Sequence, residues 1–171
     1  MSKANFASSL AAVLIHEGGF VVNKNDPGGA TCKGVTQAVY DDYRIKSGKT
    51  IRTVREIEQS EVEELYRKRY WNAIRGDELP AGVDYAVFDF AVNSGANRAA
   101  RMLQRALKVT EDGQIGPMTI AAAKSHPADE LVDLICDLRI CFLQNLSTFK
   151  FFGRGWSRRV AEVRERGKAM A

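Results

Sequence analysis

At 171 residues, with 45% hydrophobic and 27% charged side chains, the chain has the length and balance of a globular domain whose core needs no disulfide or metal staple. Its 14 glycines and four prolines exclude collagen-like and proline-rich disordered chains. No apolar run approaches the roughly 20 residues that span a bilayer, which excludes stable membrane insertion. Twenty-five Lys and Arg against 21 acids leave +4, a surplus that favours polyanions (nucleic acid, phospholipid, bacterial cell wall) without selecting one.

The three cysteines, Cys32, Cys136 and Cys141, form no disulfide framework, and without a C-x-x-C pair or more histidines than His16 and His126 no zinc site or other cofactor is expected. Reduced thiols imply synthesis in a cytoplasm. The apolar stretch near the N-terminus is interrupted by Asn5, Ser8, Ser9 and His16, a poor signal-peptide core. Work outside the cytoplasm would therefore need a separate release step.

In chain order, Phe6, Leu10, Val13 and Leu14 predict an amphipathic helix over about 3–17, stopped by Gly18-Gly19. The segment Phe20 to Gly34 is dense in Asn, Asp, Pro and Gly and reads as an irregular loop or short hairpin, the one place where β structure is expected. A helix over about 36–45 follows. Ser60-x-x-Glu63 has the form of a capping box opening a helix with Val62, Leu65, Tyr66 and Tyr70. Asp77 to Gly82 is a turn. The next segment, VDYAVFDFAVNSG, is apolar almost all round, a buried helix or a strand, and its length favours a helix. Further helices are expected over 97–107, from Pro117 and over about 128–146, where Cys136 and Cys141 read as core thiols. Gly153 and Gly155 are expected to separate that helix from a short basic one starting near Trp156. The fold class is mainly α.

Glu17 stands at the C-terminal end of an apolar helix, where unsatisfied carbonyls disfavour an anion. A carboxylic acid kept protonated near neutrality is what a general acid in glycoside cleavage requires; the alternative is an exposed Glu at a frayed helix end. Asp26 and Thr31, in Asp26-Pro27-Gly28-Gly29-Ala30-Thr31, offer a second carboxylate and a hydroxyl to orient water, or simply an Asp-Pro turn. Gly29 and Gly34 have phosphate-loop spacing, but Val35 replaces the lysine such a loop needs. Asp89 and Asn93, four apart on the apolar segment, form either a structural polar pair or a substrate-facing one. Tyr70, Trp71 and Trp156 either stack on sugar rings or pack in the core.

HEGGF at 16–20 followed by DPGGATCKGVTQAVY at 26–40 resembles the N-terminal signature of glycoside hydrolase family 108, lysozyme-like N-acetylmuramidases found as phage endolysins and in prophage-bearing bacteria. YRKRYW at 66–71 and DFAVNSG at 89–95 extend the likeness. DGQIGPMTI at 112–120 and GRGWSRRV at 153–160 look like the peptidoglycan-binding region that accompanies the family. The resemblance implies a lysozyme-like catalytic region over 1–95 and a helical peptidoglycan-binding-like region over 96–171, packed into one compact globule.

It further implies cleavage of the β-1,4 bond between N-acetylmuramic acid and N-acetylglucosamine, with Glu17 as proton donor; Tyr70, Trp71, Asp89 and Asn93 are the candidate substrate-binding residues. In the Glu–Asp–Thr arrangement of phage-type lysozymes, Asp26 has the matching gap from Glu17, but Thr31 comes one residue early and Cys32 takes the threonine's place. The identity of the second catalytic group stays open. The partner implied is the glycan strand of peptidoglycan, met by a monomer, with Arg154, Arg158 and Arg159 near Trp156 as candidate wall contacts or a solvated helix face. No binding motif points to nucleic acid. An endolysin of this kind accumulates in the cytoplasm and reaches the wall after a holin opens the membrane. Alternatives are a lytic transglycosylase, an amidase, or a non-catalytic wall-binding or secretion-associated protein on the same fold.

Overall fold

The computed structural model describes residues 2–22 and 29–171. Eight α-helices, two short 3-10 helices, one π-helical turn and one small antiparallel sheet make up the regular structure among them, a mainly α fold. The chain forms two compact units, Leu10–Lys68 and Met1–Ser9 with Arg69–Ala171.

Helix α1 (Ser2–Glu17) begins in the second unit and ends in the first. Its Leu10, Ala12 and Val13 are buried. Three short strands follow, β1 (Val21–Val22), β2 (Ala30–Cys32) and β3 (Val35–Thr36), in the order β1-β2-β3. The hairpin alternative for this stretch is thus the one realised, and β structure runs two residues past Gly34. The register pairs Thr31 with both Val21 and Thr36, and Cys32 with Val35. Paired residues share a face, so the buried Cys32 and Val35 point into the core and Thr31 points the other way.

Helix α2 (Gln37–Lys46) is capped by the Thr36 hydroxyl, which accepts a bond from the Val39 amide at 3.4 Å. Helix α3 (Gln59–Tyr66) starts earlier than Ser60-x-x-Glu63 suggests: its capping box is Glu58 with Glu61, and the Glu58 amide donates to the Glu61 carboxylate at 3.2 Å. Tertiary charge pairing decides this. The buried Glu61 also accepts from Tyr40 Oη (2.5 Å), Arg44 Nη1 (2.7 Å), Arg52 Nη2 (2.8 Å) and Lys49 Nζ (3.3 Å), tying α2, the following loop and α3 together. Burial would push this carboxyl up, but the donors converging on it outweigh burial and hold it at about 2.

In the second unit, α1 contributes Phe6, whose ring meets Trp71 (5.3 Å) and Phe88 (6.0 Å) edge-on, while Trp71 and Phe88 meet at 5.2 Å. Helix α4 (Val83–Ser94) is buried from Val83 to Ala91, as its all-round apolar sequence requires, and packs on α5 (Ala96–Ala106), α7 (Ala128–Gln144) and α8 (Phe149–Met170). Gly116 and Pro117 open α6 (Pro117–Ser125). Helices α7 and α8 run antiparallel, with Arg164 bonded to Asp133 (3.0 Å) and Asp137 (2.6 Å) and Lys168 to Asp133.

Two expectations fail here. Helix α8 does not begin near Trp156: it runs unbroken through Gly153 and Gly155 for 22 residues. A glycine costs a helix about 1 kcal/mol, which packing against α7 offsets. Gly153 is also required, since a Cβ there would lie 2.7 Å from the Phe149 ring. Cys136 is buried and its thiol is pushed up to about 11 by that burial, but Cys141 is exposed rather than core.

Candidate active site

The site is built in the Leu10–Lys68 unit from the end of α1, the β2–β3 turn and the end of α3. Strands β2 and β3 are joined by two residues, Lys33 (φ +49°) and Gly34 (φ +74°). Two successive positive φ angles define the hairpin turn whose twist matches its strands. The Tyr66 hydroxyl, from the last residue of α3, donates to the Lys33 carbonyl at 2.9 Å and fixes the turn to that helix. Lys33 Nζ adds a bond to Gln59 Oε1 at 3.2 Å.

Glu17 closes α1 immediately before Gly18-Gly19, and its half-buried side chain lies over this turn. A Cβ built on Gly34 would collide with the Tyr66 hydroxyl and lie 2.9 Å from Glu17 Oε2 and 3.3 Å from Glu17 Cβ. The carboxyl and the phenol therefore converge on one patch of bare backbone that no other residue type would leave open. A carboxyl seated in this way has little freedom of position, which is what proton transfer to a fixed substrate atom needs. Gly34 and Tyr66 escaped sequence reasoning as site residues. Both lie in the stretches that carry the family resemblance, 26–40 and 66–71, but nothing local marks them as neighbours of Glu17.

Of the other residues expected at the site, Asp26 lies outside the described residues. Thr31 is half-buried in the middle strand, on the face it shares with Thr36, while Cys32 faces the core. The one-residue offset from the phage-type pattern is thus a change of face: the hydroxyl at 31 and the thiol at 32 point to opposite sides of the strand.

Tyr70, Trp71, Asp89 and Asn93 belong to the second unit. Trp71 is 0% exposed, and its indole N–H donates to Asp77 Oδ1 at 2.7 Å. Tyr70 is half-buried, with the Arg69 guanidinium 5.8 Å from its ring centroid. Asp89 is also 0% exposed. It accepts from Arg139 Nη1 at 2.6 Å and from Arg159 Nε and Nη2 at 3.1 and 3.0 Å. Burial would raise this carboxyl, yet the two guanidiniums hold it below the usual carboxylate range. Asn93, one turn on, is exposed and accepts from the Ser94 hydroxyl at 3.0 Å. Trp71 and Asp89 thus take the interior alternative that the sequence left open, and Asn93 stays at the surface because α4 ends beside it.

Among the described residues no cluster of three or more His, Cys, Asp and Glu is placed to hold a metal ion.

A family model described as glycosyl hydrolase 108 matches residues 10–95, and one described as a predicted peptidoglycan domain matches residues 98–161. The solved structure of Brucella abortus SagA is similar to this chain with a TM-score of 0.84 and 41% identity, over 98% of this chain and 96% of that one. No curated protein matches. Mainly helical with one small sheet, the molecule has a lysozyme-like fold, and its two family matches join a glycosidase to a peptidoglycan module. The chain therefore belongs to the glycosyl hydrolase 108 family, as a glycoside hydrolase acting on peptidoglycan.

Proposed function

We propose that this protein is an N-acetylmuramidase, hydrolysing the β-1,4 bond between N-acetylmuramic acid and N-acetylglucosamine with Glu17 as general acid. The observation that carries the reading is the seating of the Glu17 carboxyl on the Gly34 backbone beside the Tyr66 hydroxyl. From that seat Glu17 delivers its proton to the bridging glycosidic oxygen as the bond to the anomeric carbon breaks, so the departing sugar leaves as an alcohol. Water supplies the new oxygen at the anomeric carbon and loses its proton to a base. Thr31, on the open face of β2, orients that water, and Asp26 is the proposed base. Tyr70 and Asn93 are proposed to contact the glycan, with Trp71 and Asp89 supporting them from the interior.

The biological setting we infer is a phage or prophage endolysin. It acts as a monomer, accumulates in the cytoplasm and reaches the wall once a holin opens the membrane. Its net charge of +4 supports retention on an acidic polymer.

Mass spectrometry of fragments released from purified sacculi tests the bond. Reducing muramic acid ends are expected; anhydro ends would mean a transglycosylase, and free stem peptides an amidase. Glu17→Gln is expected to abolish release while keeping the wild-type melting curve. Equal release by that variant would remove Glu17 from its role. For the setting, cytoplasmic expression is expected to lyse host cells only when a holin is co-expressed.

A further inference from the structure

We propose that the first turns of α8 are a docking surface for an anionic phospholipid bilayer. Phe151 and Phe152 are 72% and 56% exposed, adjacent and in contact, with ring centroids 6.4 Å apart. Trp156, one turn on, meets Phe152 at 5.7 Å and Phe149 at 6.2 Å, so the four rings form one continuous apolar ridge. Gly153 makes the ridge possible by leaving room for the Phe149 ring against the helix. Monomeric soluble proteins scatter their exposed apolar side chains; a contiguous exposed cluster marks a contact surface.

Charge narrows the partner to an anionic one. From Leu138 to Ala161 the sequence contains no Asp or Glu. Within that stretch Arg139 and Arg159 are spent on the buried Asp89, which leaves Lys150, Arg154 and Arg158 around the rings. Lys150 Nζ lies 4.9 Å from the Phe151 ring centroid. Of the four acids of α7, Asp129 and Glu130 lie in its first turn, and Asp133 and Asp137 are bonded to Arg164 and Lys168, toward the far end of α8. Exposed aromatic side chains in a stretch that carries cations and no acid complement a surface that is apolar within and anionic at its headgroups.

A bilayer also suits the ring geometry. Phe151 and Phe152 are inclined at 64°, and Phe152 and Trp156 at 34°, so the ridge has no single flat face. Insertion among acyl chains places no demand on ring orientation. Among the described residues no helix is long and apolar enough to cross a membrane, so the contact is adsorption to the surface.

The test is co-sedimentation of the full chain with vesicles of equimolar phosphatidylglycerol and phosphatidylethanolamine, against phosphatidylcholine vesicles. The wild type is expected to bind the anionic vesicles alone and to lose binding as salt rises. Phe151→Ser/Phe152→Ser is expected to weaken it about tenfold or more while still digesting soluble peptidoglycan fragments at the wild-type rate. Arg154→Gln/Arg158→Gln is expected to weaken binding and flatten its salt dependence. Because Trp71 is buried, a blue shift of tryptophan fluorescence on binding reports Trp156. Failure of the wild type to bind, or undiminished binding by both variants, overturns the proposal. So does a serine variant that loses affinity for intact sacculi but keeps it for vesicles, or a wild-type dimer that the serine variant dissociates.

Discussion

Replacing Gly34 by alanine sets a methyl group against the two side chains that meet over the hairpin turn. The backbone contributes first, since a residue with a Cβ at φ +74° costs about 1–2 kcal/mol relative to glycine. In a protein of this size that lowers Tm by roughly 2–8 °C. Gly48 supplies the control: its φ is +68°, and nothing lies within 4 Å of a Cβ built there. Gly48→Ala therefore carries the backbone cost without the collision. At Gly34 the new methyl stands 2.9 Å from Glu17 Oε2, so the carboxylate must retreat by about half an ångström to reach ordinary contact distance. A displacement of ~1 Å at a reacting group costs on the order of a hundredfold in rate, so about tenfold is expected in kcat.

Reducing-end release from sacculi and a thermal melt, run on both alanine variants, separate the two effects. A rate loss confined to Gly34→Ala, with a melting temperature below that of Gly48→Ala because of the added collision with Tyr66, supports the geometry. Adding Tyr66→Phe removes one of the colliding atoms, so the double variant is expected to be more stable than the sum of the single changes allows. Gly34→Ala with the activity of Gly48→Ala would show that the position of Glu17 does not set the rate.

Asp89→Asn leaves Arg139 and Arg159 facing an amide in the interior, and denaturant unfolding is expected to show a loss of about 3–5 kcal/mol. Because folding lowers the Glu61 carboxyl from the usual 4.5 to about 2, its contribution is complete above pH 4.5 and disappears as pH falls toward 2. Melts across that window are expected to decline more steeply for the wild type than for Glu61→Gln, and parallel curves would refute the assignment. Of the three thiols, only the exposed Cys141 is expected to react with a thiol reagent in the native state, and all three after denaturation; rapid reaction of Cys136 would contradict its burial.

The helices were legible because their apolar periodicity is local information. The buried character of α4 follows directly from VDYAVFDFAVNSG. What failed was decided at a distance. The start of α3 shifted because Glu61 answers to Tyr40, Arg44 and Arg52, partners 9 to 21 positions away. Gly153 and Gly155 read as breakers, since sequence does not reveal that Phe149 needs the space or that α7 lies alongside. Glu17 stood out because an acid at a helix C-terminus is a local anomaly. Its neighbours did not: the Tyr66–Lys33 bond spans 33 positions and leaves no local pattern. Asp89 and Trp71 showed the opposite ambiguity, as a polar or aromatic residue on an apolar helix reads alike whether it meets sugar or an interior partner.

The placement of Asp89 has a consequence for biosynthesis. Its two cations come from positions 139 and 159, and the unit it anchors also takes in the first nine residues of the chain. As the polypeptide emerges from the ribosome, the stretch from 10 to 68 has all of its own material early. The other unit must wait, with an uncompensated aspartate, until α8 is made. Nascent chains halted before Arg159 are thus expected to be the species that chaperones hold and proteases remove.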